Sequence, residues 1–269
     1  MKIVSFNINS IRARPHQILY LKKTLDPDVI GIQETKVNDP DFPIEEINSM
    51  GYHAEYWGQK GHYGVAILSK KKPESIQKGF IKDAADDQKR FIQASFQWKK
   101  ESITIMNGYF PQGENRAHET KFPKKIKFYS DLKKHIKNVQ KDKKNLIVMG
   151  DFNVAPSSLD IGIGVNNEKR WLRDGKTAFL PEEIDMWNSI KDLGFTDSWR
   201  SQNPEEGSIY SWFDYRSRMF DDTPKRGLRI DHIMISDNLM PALKFTGIDY
   251  DARAMEKPSD HCPVWIELK

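Results

Sequence analysis

The chain has 269 residues, and its 42 lysines and arginines against 38 aspartates and glutamates give a net charge of +4 at pH 7. This small excess is compatible with a polyanionic partner, but it excludes an arginine-rich tail and does not identify a function. The single cysteine, Cys262, excludes an intramolecular disulfide and predicts a reducing, cytoplasmic location, while no apolar stretch is long enough to predict a secretory signal or a membrane span.

Short runs of β-branched and other apolar residues recur from one end of the chain to the other and predict strands. In chain order these runs are Ile3–Phe6, Val29–Ile32, Val65–Leu68, Ile103–Met106, Leu146–Met149, Ile230–Ile235 and Val264–Ile266.

Apolar residues at steps of three and four predict helices between these strands. One stripe runs through Phe122, Ile126, Tyr129, Leu132, Ile136 and Val139, with Pro123 suited to the first turn. A second stripe runs from Ile184 to Leu193 and stops at Gly194. No repeat or linker divides the chain, so we expect residues 1–269 to form one α/β domain with two packed sheets and external helices.

Polar side chains able to bind a metal ion interrupt or follow five of the apolar runs: Asn7, Glu34, Asp151 with Asn153, Asp231, and Asp260 with His261. A carboxylate at such a position is costly if it is buried without a partner, so several of them indicate a shared cation. Magnesium fits, because it takes oxygen ligands together with water and substrate phosphates, and Glu34 is the first candidate. Zinc is disfavoured because the seven histidines are scattered. Each carboxylate taken alone is explained more simply as a loop cap or a surface ion pair.

Hydrolysis of a phosphodiester needs an aligned nucleophile, neutralised phosphoryl oxygens and a group that handles the proton. Asp231 is a candidate to orient the imidazole of His261, and Asp151 to activate water or protonate the leaving group. The amides of Asn7 and Asn153 and the phenol of Tyr109 can donate hydrogen bonds to the phosphate. The residues do not reveal which group performs which step.

Three further features have competing interpretations. Cys262 beside His261 suggests a thiol nucleophile, but neighbours on a strand face opposite ways, which favours a buried structural cysteine. The ten lysines between Lys121 and Lys144 indicate a solvated helix face, with Lys121 itself placed before the helix. The mixture of aromatic and arginine residues in residues 211–220 suits either stacking on bases or a core aromatic cluster, and both interpretations stay open.

The chain resembles the exonuclease III family of apurinic/apyrimidinic endonucleases, within the endonuclease/exonuclease/phosphatase superfamily. The likeness covers the whole chain and is carried by blocks such as SFNINSIRARP, PDVIGIQETKV, NGYFPQGENR, MGDFNVAP, KRWLRDGKTAFLPEE, YSWFDYRS, RGLRIDHIM and EKPSDHCPVW. It implies a four-layer α/β sandwich of the deoxyribonuclease I type, in which two packed mixed β-sheets are flanked by helices and the site lies at one rim.

The same resemblance implies a monomeric DNA repair enzyme that uses Mg²⁺, or Mn²⁺ in its place, and leaves a 3′-hydroxyl. Its substrates would be double-stranded DNA with abasic sites, cut on the 5′ side, or with blocked 3′ ends, through 3′-to-5′ exonuclease and 3′-phosphatase activities. The residues that it assigns to the metal are Glu34, Asn7, Asp151, Asn153 and Asp260. Those that it assigns to catalysis are Tyr109, Asp151, Asn153, Asp231 and His261, and those that it assigns to substrate binding are Arg90, Gln112, Lys121, Trp212 and Phe213.

Three departures from the bacterial pattern bear on the ranking of substrates rather than on the chemistry. The loop through residues 223–225 is slightly longer, Met219 is larger than the usual residue, and His232 replaces an apolar one. Two other functions compete with repair: hydrolysis of another phosphoester such as a lipid headgroup, and DNA binding without catalysis. The lipid function would require a headgroup-reading loop and a membrane attachment, and the sequence shows neither. DNA binding without catalysis does not explain why every residue that the chemistry requires is present.

Overall fold

A computed structural model describes residues 1–80 and 88–269, and the strands in these ranges form two six-stranded sheets. The first sheet has the order β11-β12-β1-β2-β4-β3. Its strands are β1 (Lys2–Asn7), β2 (Val29–Gln33), β3 (His53–Trp57), β4 (Val65–Ser69), β11 (Leu243–Ile248) and β12 (Val264–Leu268). The second sheet has the order β5-β6-β7-β8-β10-β9. Its strands are β5 (Ser75–Lys78), β6 (Phe91–Trp98), β7 (Glu101–Tyr109), β8 (Asn145–Asp151), β9 (Phe195–Asp197) and β10 (Asp231–Ser236).

Continuous apolar runs form the central strands because both faces of each sheet are covered. In β1, Ile3 points into the core between the two sheets, whereas Val4 points into a second core on the outer face. Ile147 and Val148 of β8 divide in the same way between the central core and the outer core of the second sheet. Side chains that alternate along each strand therefore fill three apolar layers: the core between the sheets and one core on the outer face of each sheet.

Helices lie on the outer faces and complete a sandwich of four layers. They are α1 (Pro15–Thr24), α2 (Ile44–Ser49), α3 (Lys121–Val139), α4 (Val165–Arg173), α5 (Pro181–Lys191), α6 (Ser198–Gln202) and α7 (Tyr250–Ala254), with short 3₁₀ turns at Asp39–Asp41, Ser158–Asp160 and Asp237–Ala242. Ile18 and Leu21 of α1 cover the first sheet, and Phe128 of α3 and Trp187 of α5 cover the second. The predicted fold, two mixed sheets flanked by helices, is confirmed.

The strands that the apolar runs predict all form, and those that they miss are the four edge strands and β6. The edges β3, β5, β9 and β11 are short or partly exposed, so they have no reason to carry a continuous apolar run. Strand β6 is central, but it alternates Gln93 and Ser95 with apolar residues, which obscures its pattern.

The helix predictions need local corrections. Helix α3 begins at Lys121, so this lysine is the first helical residue and does not precede the helix. Ile126 is 47% exposed, although the predicted stripe included it, whereas Lys125 next to it is fully buried. Helix α5 ends at Lys191, three residues before Gly194, because the chain turns over residues 192–194 before β9. Within the described ranges, no helix is long and apolar enough to cross a membrane.

Candidate active site

Strand register gathers the predicted side chains at one rim of the sandwich. In the second sheet, Tyr109 at the end of β7 is paired with Asp151 at the end of β8, and Asp151 is paired with Asp231 at the start of β10. Residues directly opposite one another project on the same face of a sheet, so these three side chains form a row. In the first sheet, the parallel strands β1 and β2 end together at Asn7 and Gln33, and Glu34 follows.

Asn7 joins the two sheets across this rim. Its amide nitrogen donates to Glu34 Oε1 at 2.9 Å and to Asp151 Oδ2 at 3.0 Å. Asn7 is fully buried, and its own amide oxygen accepts the backbone N–H of Asn9 at 3.1 Å. One side chain therefore places the carboxylate of the first sheet within reach of the carboxylate of the second.

Glu34 occupies a backbone conformation that few residues adopt. Its φ is +54°, in the left-handed region, as is the φ of +53° at Asn153, in the loop after β8. The ammonium of Lys36 lies 2.8 Å from Glu34 Oε2. Burial by itself would raise the pKa of Glu34, but Lys36 and the hydrogen bond from Asn7 outweigh burial and lower the pKa below its ordinary value. Glu34 is thus held as a carboxylate.

His261 lies between two buried carboxylates of the second sheet. Its Nδ1 is 2.9 Å from Asp231 Oδ2, and its Nε2 is 3.8 Å from Asp151 Oδ2. Burial disfavours the charged ring, but Asp231 and Asp151 outweigh it and raise the pKa of His261 to about 10. Burial also raises the pKa of Asp151 to about 7, with Asp231 adding to the rise and His261 opposing it. The predicted Asp231–His261 pair is present in the structure.

Ser211 orients the far side of this pair. Its hydroxyl donates to Asp231 Oδ2 at 2.7 Å and accepts the backbone N–H groups of Ile230 and Asp231, each at 3.0 Å. The other oxygen of this carboxylate, Asp231 Oδ1, is buried and has no hydrogen-bond partner among the described residues. The rim therefore contains a carboxylate oxygen that is available to a further donor or cation.

Asp260 borders the same rim through two neighbours. Asn9 Nδ2 donates to Asp260 Oδ1 at 2.9 Å, and the indole Nε1 of Trp212 donates to Asp260 Oδ2 at 3.1 Å. Burial would raise the pKa of Asp260, but the charge on His261 and these two hydrogen bonds lower it. Trp212 is only half-buried, so part of its ring faces outward beside the carboxylates.

Tyr109 separates the carboxylates from a basic cleft. The guanidinium of Arg90 lies 4.6 Å from the centre of the Tyr109 ring and 4.2 Å from that of Tyr63. Burial and the charge on Glu34 raise the pKa of Tyr109 well above its ordinary value, so the phenol keeps its proton. The cleft has a volume of about 170 Å³, and its lining includes Arg90, Gln112, Lys121 and Lys124. Three of the predicted substrate-binding residues thus surround one recess.

A buried ion pair anchors the strand-end loops behind this cleft. Lys125 Nζ bonds to Glu183 Oε1 at 2.5 Å, to the carbonyl oxygen of Asn153 at 2.8 Å and to that of Gln112 at 3.2 Å. Both charged side chains are fully buried. The prediction of a solvated lysine face on α3 is therefore wrong for Lys125, which points inward and holds two loops of the site.

Phe213 departs from its expected role. Its side chain is fully buried in an aromatic cluster with Phe220, at a ring separation of 5.0 Å, and Tyr250, at 5.6 Å. Of the two interpretations of residues 211–220, the core cluster describes Phe213, and partial exposure leaves Trp212 able to contact a ligand. In this structure the ring of Phe213 is enclosed by its neighbours and presents no surface to a substrate.

Two other sequence features have structural explanations. Cys262 is fully buried in the same cluster as Phe213, as expected of a structural cysteine. His232 lies on the opposite side of β10 from Asp231, 3.0 Å from Arg229 and 2.8 Å from the carbonyl oxygen of Val154. It therefore belongs to a buried network behind the rim and does not line the site.

The donor set at the rim fits a hard divalent cation. One oxygen each from Asp151 and Asp231 and one nitrogen of His261 lie within 4.8 Å of one another. That combination is the poorer candidate, because a metal needs an unprotonated ring nitrogen, whereas Asp231 and Asp151 raise the pKa of His261 to about 10 and favour the protonated ring. The carboxylate oxygens of Glu34 and Asp151, which the amide of Asn7 links, are the better donors for such an ion. Burial raises the pKa of Asp151, and the charges on Asp231 and Glu34 add to the rise.

Lys36, Asn9 and Ser211 are contacts of the site that the sequence did not single out. Lys36 and Asn9 lie two residues beyond Glu34 and Asn7, and Lys36 Nζ also donates to Asn9 Oδ1 at 2.6 Å. Their position close to strand ends that carry candidate ligands could have identified these two residues from the sequence. Ser211 offered no such signal, because its partner Asp231 is distant in sequence.

The model of the endonuclease/exonuclease/phosphatase family matches residues 4–261. Over 270 residues and the full length of both chains, this chain is 54% identical to exodeoxyribonuclease III of Haemophilus influenzae. It is 28% identical to the DNA repair nuclease APEX1 of Danio rerio, covering 82% of that protein.

Solved structures give the same result. A 3′-phosphatase from Neisseria bound to a product DNA hairpin superposes with a TM-score of 0.91 at 34% identity, covering 100% of this chain and 99% of that one. An AP endonuclease from Archaeoglobus fulgidus has a TM-score of 0.88 at 32% identity, with the same coverage. The chain therefore belongs to the endonuclease/exonuclease/phosphatase family, as a hydrolytic nuclease of its exonuclease III branch.

Proposed function

We propose that this protein is a DNA repair phosphodiesterase that cuts duplex DNA on the 5′ side of abasic sites and removes blocking groups and nucleotides from 3′ ends. The observation that carries the proposal is the convergence of Asn7, Glu34, Asp151, Asp231 and His261 at one rim, next to a basic cleft. Relatives named as exonucleases, a 3′-phosphatase and AP endonucleases support the choice of DNA and of both kinds of substrate.

Mg²⁺, with Mn²⁺ as a substitute, is the proposed metal. Glu34 and Asp151 would hold it through carboxylate oxygens and Asn7 through its amide oxygen, and Asn153 and Asp260 are the remaining proposed ligands. When bound, the ion would neutralise charge on the phosphoryl oxygens. Magnesium is preferred to zinc because oxygen donors predominate and the histidine of the rim is already paired.

The chain's own residues provide proton transfer and hydrogen bonds. Asp151, with a pKa raised to about 7, can accept or release a proton near neutral pH. His261, with a pKa of about 10, is a cation that can contact the phosphate through Nε2. Tyr109 stays protonated and can donate to a phosphate oxygen. The amide of Asn153, which donates to the carbonyl oxygen of Phe110 at 3.0 Å, is a second proposed donor.

The duplex would be held on both sides of the carboxylates. Arg90, Gln112 and Lys121 would contact phosphates through the basic cleft, and Trp212 would contact the damaged nucleotide or its flank. Phe213 would support Trp212 from within the core. We further propose that the enzyme acts as a monomer in the cytoplasm, because all of these side chains come from one chain and Cys262 is a free thiol.

The proposal is tested with three duplexes: one with a single abasic-site analogue, one with a 3′-phosphate and one undamaged. We expect incision of the first, dephosphorylation of the second and slower digestion of the third, all lost in chelator and restored by added Mg²⁺. A phosphoinositide substrate should remain intact. Activity that persists in chelator contradicts the metal assignment, and hydrolysis of the lipid alone contradicts the choice of DNA.

Glu34→Gln tests the proposed metal ligand. The amide keeps the shape of the side chain but removes its charge, so we expect kcat to fall about 100-fold or more and the Mg²⁺ concentration needed for half-maximal rate to rise. Glu45→Gln, at an exposed position on α2, is the matched control and should leave both quantities unchanged. An unchanged magnesium dependence in Glu34→Gln would remove this residue from the metal site.

A further inference from the structure

A second cavity, of about 450 Å³, opens at the rim opposite the candidate active site. Its lining includes Met1 and Val29, at the beginnings of β1 and β2, whereas Asn7 and Glu34 lie at the ends of these strands. Six residues of extended chain separate the two rims by roughly 17–20 Å. A ligand in this cavity therefore does not contact the carboxylates of the site.

The floor of the cavity is apolar. Val29 and Phe96 belong to the core between the sheets, and Met1 and Trp98 pack against that core while remaining only partly buried. The cavity lies where the ends of β4 and β6, from different sheets, leave the inter-sheet core uncovered. A recess of this size and character accommodates a large apolar side chain.

The edge of the cavity is basic. Five lysines line it, against two acidic side chains, Asp28 and Glu74, and the lysines are Lys70, Lys71, Lys72, Lys99 and Lys269. Lys70 pairs with Asp26 at 2.7 Å. Within residues 1–80 and 88–269, Lys71, Lys72 and Lys99 have no carboxylate oxygen within 4.0 Å. Lys99 instead lies 4.6 Å above the ring of Trp98.

We propose that this cavity docks an acidic segment of a partner protein, which inserts one large apolar side chain onto Trp98 and Phe96. An apolar floor combined with a basic edge complements a peptide in which an apolar anchor is flanked by aspartates or glutamates. A duplex would use the lysines but leave the recessed floor empty. The proposal is independent of the proposed function, because it concerns the opposite rim.

Binding is measured by fluorescence anisotropy of a labelled peptide with four aspartates followed by leucine and phenylalanine, amidated at its C-terminus. We expect saturable binding that weakens as salt rises. A peptide with serine in place of phenylalanine, and one with lysines in place of aspartates, should each bind at least about tenfold more weakly. No saturable binding by the parent protein at up to about 1 mM peptide would overturn the proposal.

The binding position is tested with Lys71→Glu/Lys72→Glu, which alters exposed lysines and should fold normally. We expect at least about tenfold loss of peptide binding with abasic-site cleavage unchanged. The matched control, Lys137→Glu/Lys141→Glu, reverses two exposed lysines at the C-terminal end of α3 and its following turn and should bind as the parent does. Equal affinity of the two double variants, or displacement of the peptide by a single-stranded oligonucleotide, would overturn the docking of an acidic protein segment.

Discussion

At the scale of single residues, the charge state of His261 is set by the two carboxylates beside it. Asp231 contacts one ring nitrogen and Asp151 approaches the other, so that two buried carboxylates share one cation. Burial alone would favour the neutral imidazole and lower its pKa, but burial also strengthens the attraction to Asp231 and Asp151. These two attractions outweigh burial and raise the pKa of His261 to about 10. Removal of the ring would leave Asp231 without its cation in the interior, and Asp151 likewise at pH values where it is ionised.

His261→Gln is therefore predicted to destabilise the metal-free protein by about 3 kcal/mol or more near pH 6. The folded pKa is raised above the unfolded value of 6.5, so the contribution of His261 is fully present below about pH 6.5 and is lost as pH rises through about 10. Urea denaturation in chelator at several pH values measures this difference. It should shrink toward high pH, whereas His53→Gln, on the exposed edge strand β3, should show little difference at any pH.

At the scale of secondary-structure elements, Lys125 links α3 to the loops that follow β7 and β8. Its ammonium bonds to the carbonyl oxygens of Gln112 and Asn153 and to Glu183, whose other oxygen accepts the N–H groups of Ala178 and Leu180. Helix α3, the start of α5 and two strand-end loops thus depend on one buried ion pair. Removing one partner of such a pair is costly, because the charge that remains is buried without a counter-ion and without hydration by water.

Lys125→Met is predicted to lower the free energy of unfolding by about 3–5 kcal/mol, because it leaves Glu183 buried and unpaired. Lys124→Met is the matched control, since it removes the adjacent exposed lysine and should change stability by less than about 0.5 kcal/mol. Chemical denaturation of both variants measures the effect. Similar stabilities would mean that Glu183 is neutralised in the variant at little cost.

At the scale of the whole molecule, the site exists only where the two sheets meet. The first sheet contributes Asn7 and Glu34, and the second contributes Tyr109, Asp151 and Asp231. Beneath the rim, the fully buried Asn107 of β7 crosses the interface. Its amide nitrogen donates to the carbonyl oxygens of Ile32 at 2.9 Å and Ala66 at 3.0 Å, and its oxygen accepts from Gln33 at 2.5 Å.

Asn107→Ala is predicted to lower stability by about 1–3 kcal/mol and to reduce kcat about tenfold under conditions where the protein stays folded. Loss of the bridge would let the sheets shift, and with them Glu34 relative to Asp151. Thr104→Val is the matched control, because its buried bond to Ser95 lies within one sheet, and it should lose stability alone. A parental kcat for Asn107→Ala would show that the bridge serves stability and not alignment.

The central strands were predictable because burial on both faces leaves a continuous apolar run, as in Val65–Leu68. The edge strands and the polar β6 were not, since neighbouring strands rather than their own sequence complete their hydrogen bonds. Among the site residues, strand-end position was enough to nominate Glu34, Asp151 and Asp231. The contacts of Ser211 and Lys125 could not be nominated, because each depends on a residue far along the chain.

The amino-acid sequence by itself determined the α/β layering and the set of oxygen donors, because apolar periodicity and the costly carboxylates at strand ends are local properties of the chain. Only the tertiary structure decided that Asn7 bridges Glu34 and Asp151, that Phe213 is enclosed while Trp212 is not, and that Lys125 points inward. These outcomes depend on which side chains meet across two sheets. These long-range contacts determine which side chains are buried and which charges are compensated, and no local sequence pattern predicts the contacts.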